Sequence, residues 1–424
     1  MRKLAVTLAI VIPVACLLGV LLYNLPPVQA RLGWRVEALW ADVKYAIKPP
    51  EKQVFVPAPT RTASATLIPL FSPTPTIALT TPEPATTPIS TFTPTMVPTP
   101  LPEKAVLSGI AHMYQTWNNC GPANLAMALS FWGWKGNQSD TAAVLKPNNR
   151  DKNVMPYEME AYVEEHTDLQ AVVRTGGELD VVKAFLSSDF PVLVETGFEG
   201  ANFDGWMGHY QVVSGYDDAR QVFYVQDSYK GPNQAIAYEK FQRDWRAFNF
   251  TYLVIYPFER RQQMLDVLGL QAYDNFNNHY SAQKALEDTA TLSGRDLYFA
   301  WFNRGSSLVA LKDYANAAQA YDTAFANYAQ IPEAERPWRM MWYQTSPYWA
   351  YYYTGRYQDV INLATQTLDA MSEPVLEETF YWRAQAQLAL GQNEAAIQDL
   401  QQCLVAHEEF QPCVDGLKGL GLDP

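Results

Sequence analysis

The chain has 424 residues, 48% hydrophobic and 13% aromatic, with a net charge of -13 at neutral pH. That length exceeds what one hydrophobic core organises and predicts two or three domains. The acidic balance, with no basic patch and no glycine-rich phosphate loop, argues against nucleic acid as a partner.

Residues 4–23, LAVTLAIVIPVACLLGVLLY, carry no charge. At ~1.5 Å per residue such a run spans a hydrocarbon core. Arg2 and Lys3 precede it, which keeps the N-terminus in the cytoplasm and sends the rest outside. Residues 1–24 are therefore read as a transmembrane helix that anchors the chain in the cell membrane as a single-pass protein, its bulk extracytoplasmic. A cleaved signal peptide, with V-Q-A at 28–30 as cleavage site, is the rival reading. The run is long for that role, and Pro26-Pro27 intervenes. A lipoprotein reading at Cys16 is weaker, because the apolar run continues past it.

Residues 25–56 form a juxtamembrane segment. Within it Leu32, Val36, Leu39, Trp40, Val43 and Ile47 recur at helical spacing and predict an amphipathic helix over 31–47. Trp34 and Trp40 suit either a membrane surface or a packed neighbour. Residues 57–103 are dominated by Pro and Thr. Proline removes backbone donors and fixes extended φ, so this stretch reads as a disordered linker and semi-stiff spacer. At ~3.1 Å per residue it reaches on the order of 100 Å.

Residues 104–260 predict an α+β domain. Helical patterns cover 121–134, 156–166, 178–188 and 238–247; strand patterns cover 169–174, 190–196, 209–216, 221–226 and 250–256. Helices come early and strands late, unlike an alternating parallel fold. Residues 261–424 predict an all-α array. The loops KDY (312–314), GRY (355–357) and GQN (391–393) recur about 36 to 43 residues apart. Aligned on them, Trp301, Gly305, Ala317, Tyr321 and Ala324 match the tetratricopeptide pattern. Gly355, Tyr357 and Ala364 follow it in the next unit, and Gly391, Ala396 and Leu400 in the last. The region resembles a tetratricopeptide array of about three repeats, with a partial one at 265–290; an irregular bundle is the alternative. The aromatic run Tyr348, Trp349, Tyr351, Tyr352, Tyr353 suits interhelix packing or a peptide-binding face.

Of the four cysteines, Cys16 lies in the apolar run, and Cys403 and Cys413 can pair in an oxidising compartment. Cys120 is left over. Gly121-Pro122 and an apolar helical run follow it, placing the thiol at a helix N-terminus, where free N–H groups favour a thiolate. The rival reading is an inert buried cysteine. His112, His166 and His209 are the candidate bases. His166 closes a charged helix, and His112 has no evident orienting partner. His209 opens a strand whose hairpin partner ends in Asp227. For the two to share a face, the hairpin needs an odd loop or a β-bulge. Gln115, just upstream, can donate to an oxyanion; Asn118 and Asn119 are rival donors. Trp206 and Met207, just before His209, are candidates for lining a substrate cleft, or ordinary packing.

Q-x4-C-G-P-A at 115–123, G-H-Y-Q-V-V-S-G-Y-D at 208–217 and F-Y-V-Q-D-S-Y-K-G at 223–231 together resemble the C39-like cysteine peptidases. The resemblance covers most of 108–258 and implies a papain-like fold. It also implies Cys120 as nucleophile, His209 as general base and acid, Asp227 as its orienting partner and Gln115 as oxyanion donor. Related bacteriocin-leader peptidases have a longer Gln-to-Cys spacing and an attached ABC transporter, so their Gly-Gly leader specificity does not carry over. The implied function is a thiol peptidase acting on a peptide or protein substrate, with repeats that bind a protein partner. A non-catalytic binding scaffold and a thioester-forming amidase or transferase are the alternatives. The chemistry calls for no cofactor and no metal.

Overall fold

The computed structural model describes residues 26–58, 100–148, 150–199 and 205–424. The membrane run predicted at 4–23 and nearly all of the Pro/Thr linker lie outside them. Among the described residues, no helix is long and apolar enough to cross a membrane. The helix predicted over 31–47, α1, covers Pro26–Ile47.

The central unit is a seven-stranded antiparallel sheet. Its strands are β1 (Lys104–Val106), β2 (Leu169–Arg174), β3 (Val192–Phe198), β4 (Met207–Asp217), β5 (Val222–Asp227), β6 (Gly231–Ala237) and β7 (Tyr252–Pro257). The order is β2-β7-β3-β4-β5-β6, with β1 pairing β4. Helices α2 (Cys120–Phe131), α3 (Gln138–Leu145) and α4 (Pro156–His166) pack on one face. Helices α5 (Leu179–Ser187), α6 (Tyr238–Arg246) and α7 (Arg261–Leu268) cover the other. Side chains alternate accordingly: Tyr210 and Val212 join the core under α2, whereas Val213 joins the core under α5. Every residue of α2 from Gly121 to Leu129 is buried, as expected for a helix apolar on all sides.

The helices read from sequence stand within a few residues of those observed. Two strands and a helix escaped. β6 is an edge strand opening on Gly231, Pro232 and Asn233 with polar, exposed positions, the composition that blunts a free edge and hides a strand signal. β1 has three residues, and α3 is a single short segment set by an Asn137–Asp140 capping box.

Beyond the sheet the chain is helical: α8 (Asp274–Thr289), α9 (Gly294–Ala310), α10 (Tyr314–Tyr328), α11 (Ser346–Tyr353), α12 (Tyr357–Asp369), α13 (Glu377–Ala389), α14 (Asn393–Ala406) and α15 (Gln411–Gly419). The composition turns helical at residue 261, but α7 still packs Met264 and Leu268 into the sheet core. The glycine of the repeat pattern has a steric cause. A Cβ on Gly305 would lie 2.6 Å from the Tyr321 ring, so α9 and α10 approach closely only with glycine there. A disulfide joins Cys403 and Cys413, tying α14 to α15.

The array packs directly on the sheet unit. Trp206 is buried and stacks on Phe248 at 5.7 Å, with Phe299 and Tyr343 around it. Arg339 Nη1 donates to the Trp206 carbonyl at 3.0 Å. Asn249 Nδ2 donates to Ser307 Oγ at 2.9 Å, and Asn303 Nδ2 to the Arg246 carbonyl at 2.7 Å. A Cβ on Gly208 would come 2.8 Å from Phe248 and 3.0 Å from Tyr343. The residue before His209 is thus clamped between the two halves of the protein.

Candidate active site

Cys120 is the first residue of α2 and a half-buried free thiol. The loop before it is held by Gln138. That side chain accepts from the Thr116 N–H at 2.8 Å and from Asn119 Nδ2 at 2.9 Å, and donates to the Tyr114 carbonyl at 2.8 Å. Asn118 sits at φ 54°, with its carbonyl bonded by the Lys146 ammonium. Asparagine tolerates that left-handed geometry.

His209 is only 4% exposed and Asp227 is fully buried. His209 Nε2 and Asp227 Oδ1 lie 3.0 Å apart. Nδ1 is then the ring nitrogen left to face the thiol, and His209 and Cys120 stand close enough for each to shift the other's pKa. The structure therefore brings Cys120, His209 and Asp227 together in that order.

The hairpin meets the face requirement by a bulge. Its loop, residues 218–221, sets Asp217 against Val222 and Gly215 against Tyr224; past Ser214 the register shifts to Val213 against Val225 and Val212 against Gln226. Continued, that register puts Asp227 across from Gln211 and diagonal to His209, on the face they share. Without the shift Asp227 would oppose Val212, on the α2 side. The direct His209–Asp227 pairing considered from the sequence is thus replaced by a diagonal one, because the turn lies later in the chain, at 218–221.

Asp227 accepts four hydrogen bonds. Besides His209, they come from the Tyr229 and Lys230 N–H groups at 2.8 and 2.9 Å and from Gln211 Nε2 at 2.8 Å. Burial pushes its carboxyl up, but His209, the Lys230 N–H and Gln211 outweigh burial and hold it well below the usual carboxylate range. Burial pushes His209 down, and Asp227 and Cys120 overcome it, raising the imidazole to about 9. Burial also pushes the Cys120 thiol up. The hydrogen bond and charge of His209, the Tyr210 main chain and the Lys146 charge reverse this, leaving the thiol below its ordinary value. At neutral pH these directions favour a thiolate–imidazolium pair, whose two steps titrate jointly.

Gln115 is half-buried beside this group and tied to the residue after Asp227. Its N–H donates to the Ser228 carbonyl at 2.8 Å, and Ser228 Oγ lies 2.7 Å from its Oε1. Ser228 Oγ also accepts from Asn124 Nδ2 at 2.8 Å, and that amide donates to the Cys120 carbonyl at 2.9 Å. The single Ser228 hydrogen must then go to Gln115 Oε1, which fixes the flip of the amide and leaves Nε2 as its outward donor.

Gln211, Ser228, Asn124, Gln138 and Lys146 escaped the sequence reading, since each acts through a contact distant along the chain. Ser228 and Gln211 had one legible signal, their place in the motifs at 208–217 and 223–231. Glu195, on β3, escaped too. Burial pushes its carboxyl well up, and the Cys120 charge adds to this. It packs beside Tyr210, its cross-strand partner. The native state holds the Glu195 proton more tightly than the unfolded chain. Its cost to stability therefore appears as pH rises past the ordinary carboxyl pKa and grows until the raised value is reached. Glu195→Gln is expected to raise the Tm more at pH 8 than at pH 5; an equal effect at both would refute a buried neutral carboxyl.

The rival bases fall away. Both ring nitrogens of His112 are buried with no hydrogen-bond partner among the described residues, and burial holds its pKa down. His166 packs on Tyr162 at the end of α4. Asn118 and Asn119 spend their side-chain amides on the Asp151 carbonyl and Gln138. Trp206 packs at the junction and also lines a cavity with Phe198, Glu199, Lys230 and Arg295, whereas Met207 is partly buried against the junction cluster. Elsewhere Glu158, Glu377 and His407 bring ligand-type atoms within 4.8 Å of one another. His407 Nδ1 and Glu377 Oε1 already bond there at 3.3 Å.

Residues 107–253 match the Peptidase_C39 like family, and residues 300–329 and 377–404 match the tetratricopeptide repeat. No curated protein matches the chain. A solved structure described as a C39-like peptidase from Bacillus anthracis is similar, with 18% identity over 36% of this chain and 96% of its own, and a TM-score of 0.30. A double glycine motif protease from an AMS/PCAT transporter, in complex with the leader peptide, is 20% identical over 36% of this chain and 98% of its own, with a TM-score of 0.28. The two resemblances read from the sequence, to C39-like peptidases and to tetratricopeptide repeats, are borne out.

Proposed function

We propose that the chain is a thiol peptidase that hydrolyses peptide bonds through Cys120, His209 and Asp227, with helical repeats that bind a protein substrate or partner. The observation that carries this reading is the buried Asp227–His209 hydrogen bond set beside a thiol at a helix N-terminus. In the first step the Cys120 thiolate attacks the peptide carbonyl carbon and the C=O electrons move to oxygen. Gln115 Nε2 and the Cys120 N–H donate to that oxyanion. His209 gives its proton to the leaving amine, the C–N bond breaks, and a thioester remains. Water then attacks the thioester, losing a proton to His209, and the returning thiolate re-forms the pair. The uncharged run at 4–23 supports a membrane-anchored, extracytoplasmic location, and the Cys403–Cys413 disulfide fits an oxidising compartment.

A peptide mixture incubated with the chain should gain new amino termini, and should gain none with Cys120→Ala. Acyl transfer to an added amine with release of ammonia and no new amino termini would instead favour the amidase or transferase alternative, acting on a side-chain amide.

The Gln115 role has its own test. Gln115→Ala is expected to lower kcat by roughly 10²–10³-fold, and Ser228→Ala by less. Iodoacetamide alkylation of Cys120, which forms no oxyanion, should stay at the wild-type rate in both. A parallel fall in alkylation would mean that these residues support the thiolate instead.

A further inference from the structure

The helical array already holds a segment of the protein's own chain, a 3-10 turn at Pro50–Lys52 that leads through an extended Gln53 to residue 58. Residues 50–58 cross α10, α11 and α12 as a strap. Phe55 is buried in the array core, edge-on to Phe325 at 4.9 Å and tilted against Tyr351 at 6.1 Å. The array's polar groups meet the strap at main-chain atoms. The Ala58 N–H donates to Asp359 Oδ1 at 3.0 Å, the Ala58 carbonyl accepts from Arg356 Nη2 at 3.0 Å, and the Glu51 carbonyl accepts from Arg336 Nη1 at 2.8 Å. Recognition of this kind reads an extended backbone and one aromatic side chain, and is otherwise tolerant of sequence. The fit is also imperfect. Gln53 Nε2 is buried with no hydrogen-bond partner among the described residues, a cost that a different occupant escapes.

We propose that this groove is an exchangeable peptide site. Residues 50–58 fill it in cis, and an extended segment of a partner protein with an aromatic residue at the place of Phe55 takes it in trans. The proposal rests on the protein-binding role assigned above to the repeats and is independent of the Cys120 chemistry. Exchange changes the geometry of the chain. With the strap seated, Ala58 is fixed to the array, while Lys104 is fixed in the sheet opposite Asp217. Both ends of the Pro/Thr segment are then held on one body, and it adds nothing to the reach of α1. Displacement that also frees the end of α1, held by Lys44 on the Met371 carbonyl, Tyr45 against Trp338 and Lys48 with Asp369, places the segment in series between α1 and the sheet. Partner binding and release of the catalytic head are thereby linked.

The test uses the full chain and a fluorescent synthetic peptide of residues 48–60, KPPEKQVFVPAPT, with binding read by anisotropy. A tethered competitor acts at a high effective concentration. The peptide should therefore bind wild type weakly and bind Phe55→Ala at least tenfold more tightly. Ala58→Pro, which removes the N–H given to Asp359 without touching the core, should give the same gain and keeps the test valid if Phe55→Ala unfolds. A control peptide with Ala in place of Phe55 should bind neither variant. Equal affinity for wild type and both variants, no binding to any of them, or full retention of binding by the control peptide would overturn the proposal. Because turnover is not read, a chain that binds the peptide but cleaves nothing would sink the peptidase reading and leave this one standing.

Discussion

Cys120→Ala is expected to lower peptide turnover by roughly 10⁴–10⁶-fold, the loss typical of removing a covalent nucleophile, while leaving the fold intact. The substitution deletes one sulfur from a half-buried position at the head of α2. It removes no core contact on the scale of Leu125 or Met127, which are fully buried further along the helix. The Tm should therefore change little. Alkylation gives an independent measure. In wild type, Cys120 should react with iodoacetamide at pH 6–7 well ahead of a model thiol, because His209, the helix N-terminus and Lys146 lower its pKa against the opposing effect of burial. Retained turnover in the variant, or a wild-type rate no faster than a model thiol, would remove Cys120 from the mechanism.

Asp227→Asn carries the second largest effect, on the order of 10³–10⁴-fold in kcat, and its pH signature separates positioning from structure. An amide retains one oxygen for the Tyr229 and Lys230 N–H groups, and Gln211 can turn its own amide to accept from the new NH₂ group. The site thus stays hydrogen-bonded. What is lost is the negative charge that raises His209 to about 9 against the effect of burial. Without it the imidazolium deprotonates at lower pH and no longer stabilises the Cys120 thiolate. The alkylation rate at pH 6–7 should fall sharply and approach the wild-type rate only as the pH rises towards that of an ordinary thiol. A uniform loss across pH would mean that Asp227 acts by holding the hairpin together.

Much of the architecture is legible locally. The α2 sequence is apolar on every side, so it must be central; β4 and β7 are β-branched and aromatic, so they must be interior strands. Gly305 and Ala317 set the spacing of paired helices before any contact is known. Cys120, His209 and Asp227 were legible because each lies in a short motif with a recognisable element around it. The bulge at Ser214 was legible only as a requirement, since a hairpin register depends on loop geometry that composition underdetermines. Ser228, Asn124, Gln138 and Glu195 carry no such mark. A serine beside an aspartate, or a glutamate in a strand, means nothing until the chain brings it against Gln115 or Cys120.

The segment at 25–56 makes the same point. Its amphipathic pattern left open a membrane surface or a packed neighbour, and Phe55 drew no notice in a stretch of Val and Pro. Tertiary structure seats Phe55 among Phe325 and Tyr351 and clamps the residue before His209 against Tyr343. The sequence by itself determined most of the elements, the cysteine available for chemistry and the order of its partners, because periodicity, composition and motif are properties of neighbouring residues. Only the tertiary structure decided the hydrogen-bond relay to Gln115, the burial that raises the Glu195 carboxyl and the strap on the array. Those depend on which distant groups are desolvated together, and burial energies follow from packing in space rather than from distance along the chain.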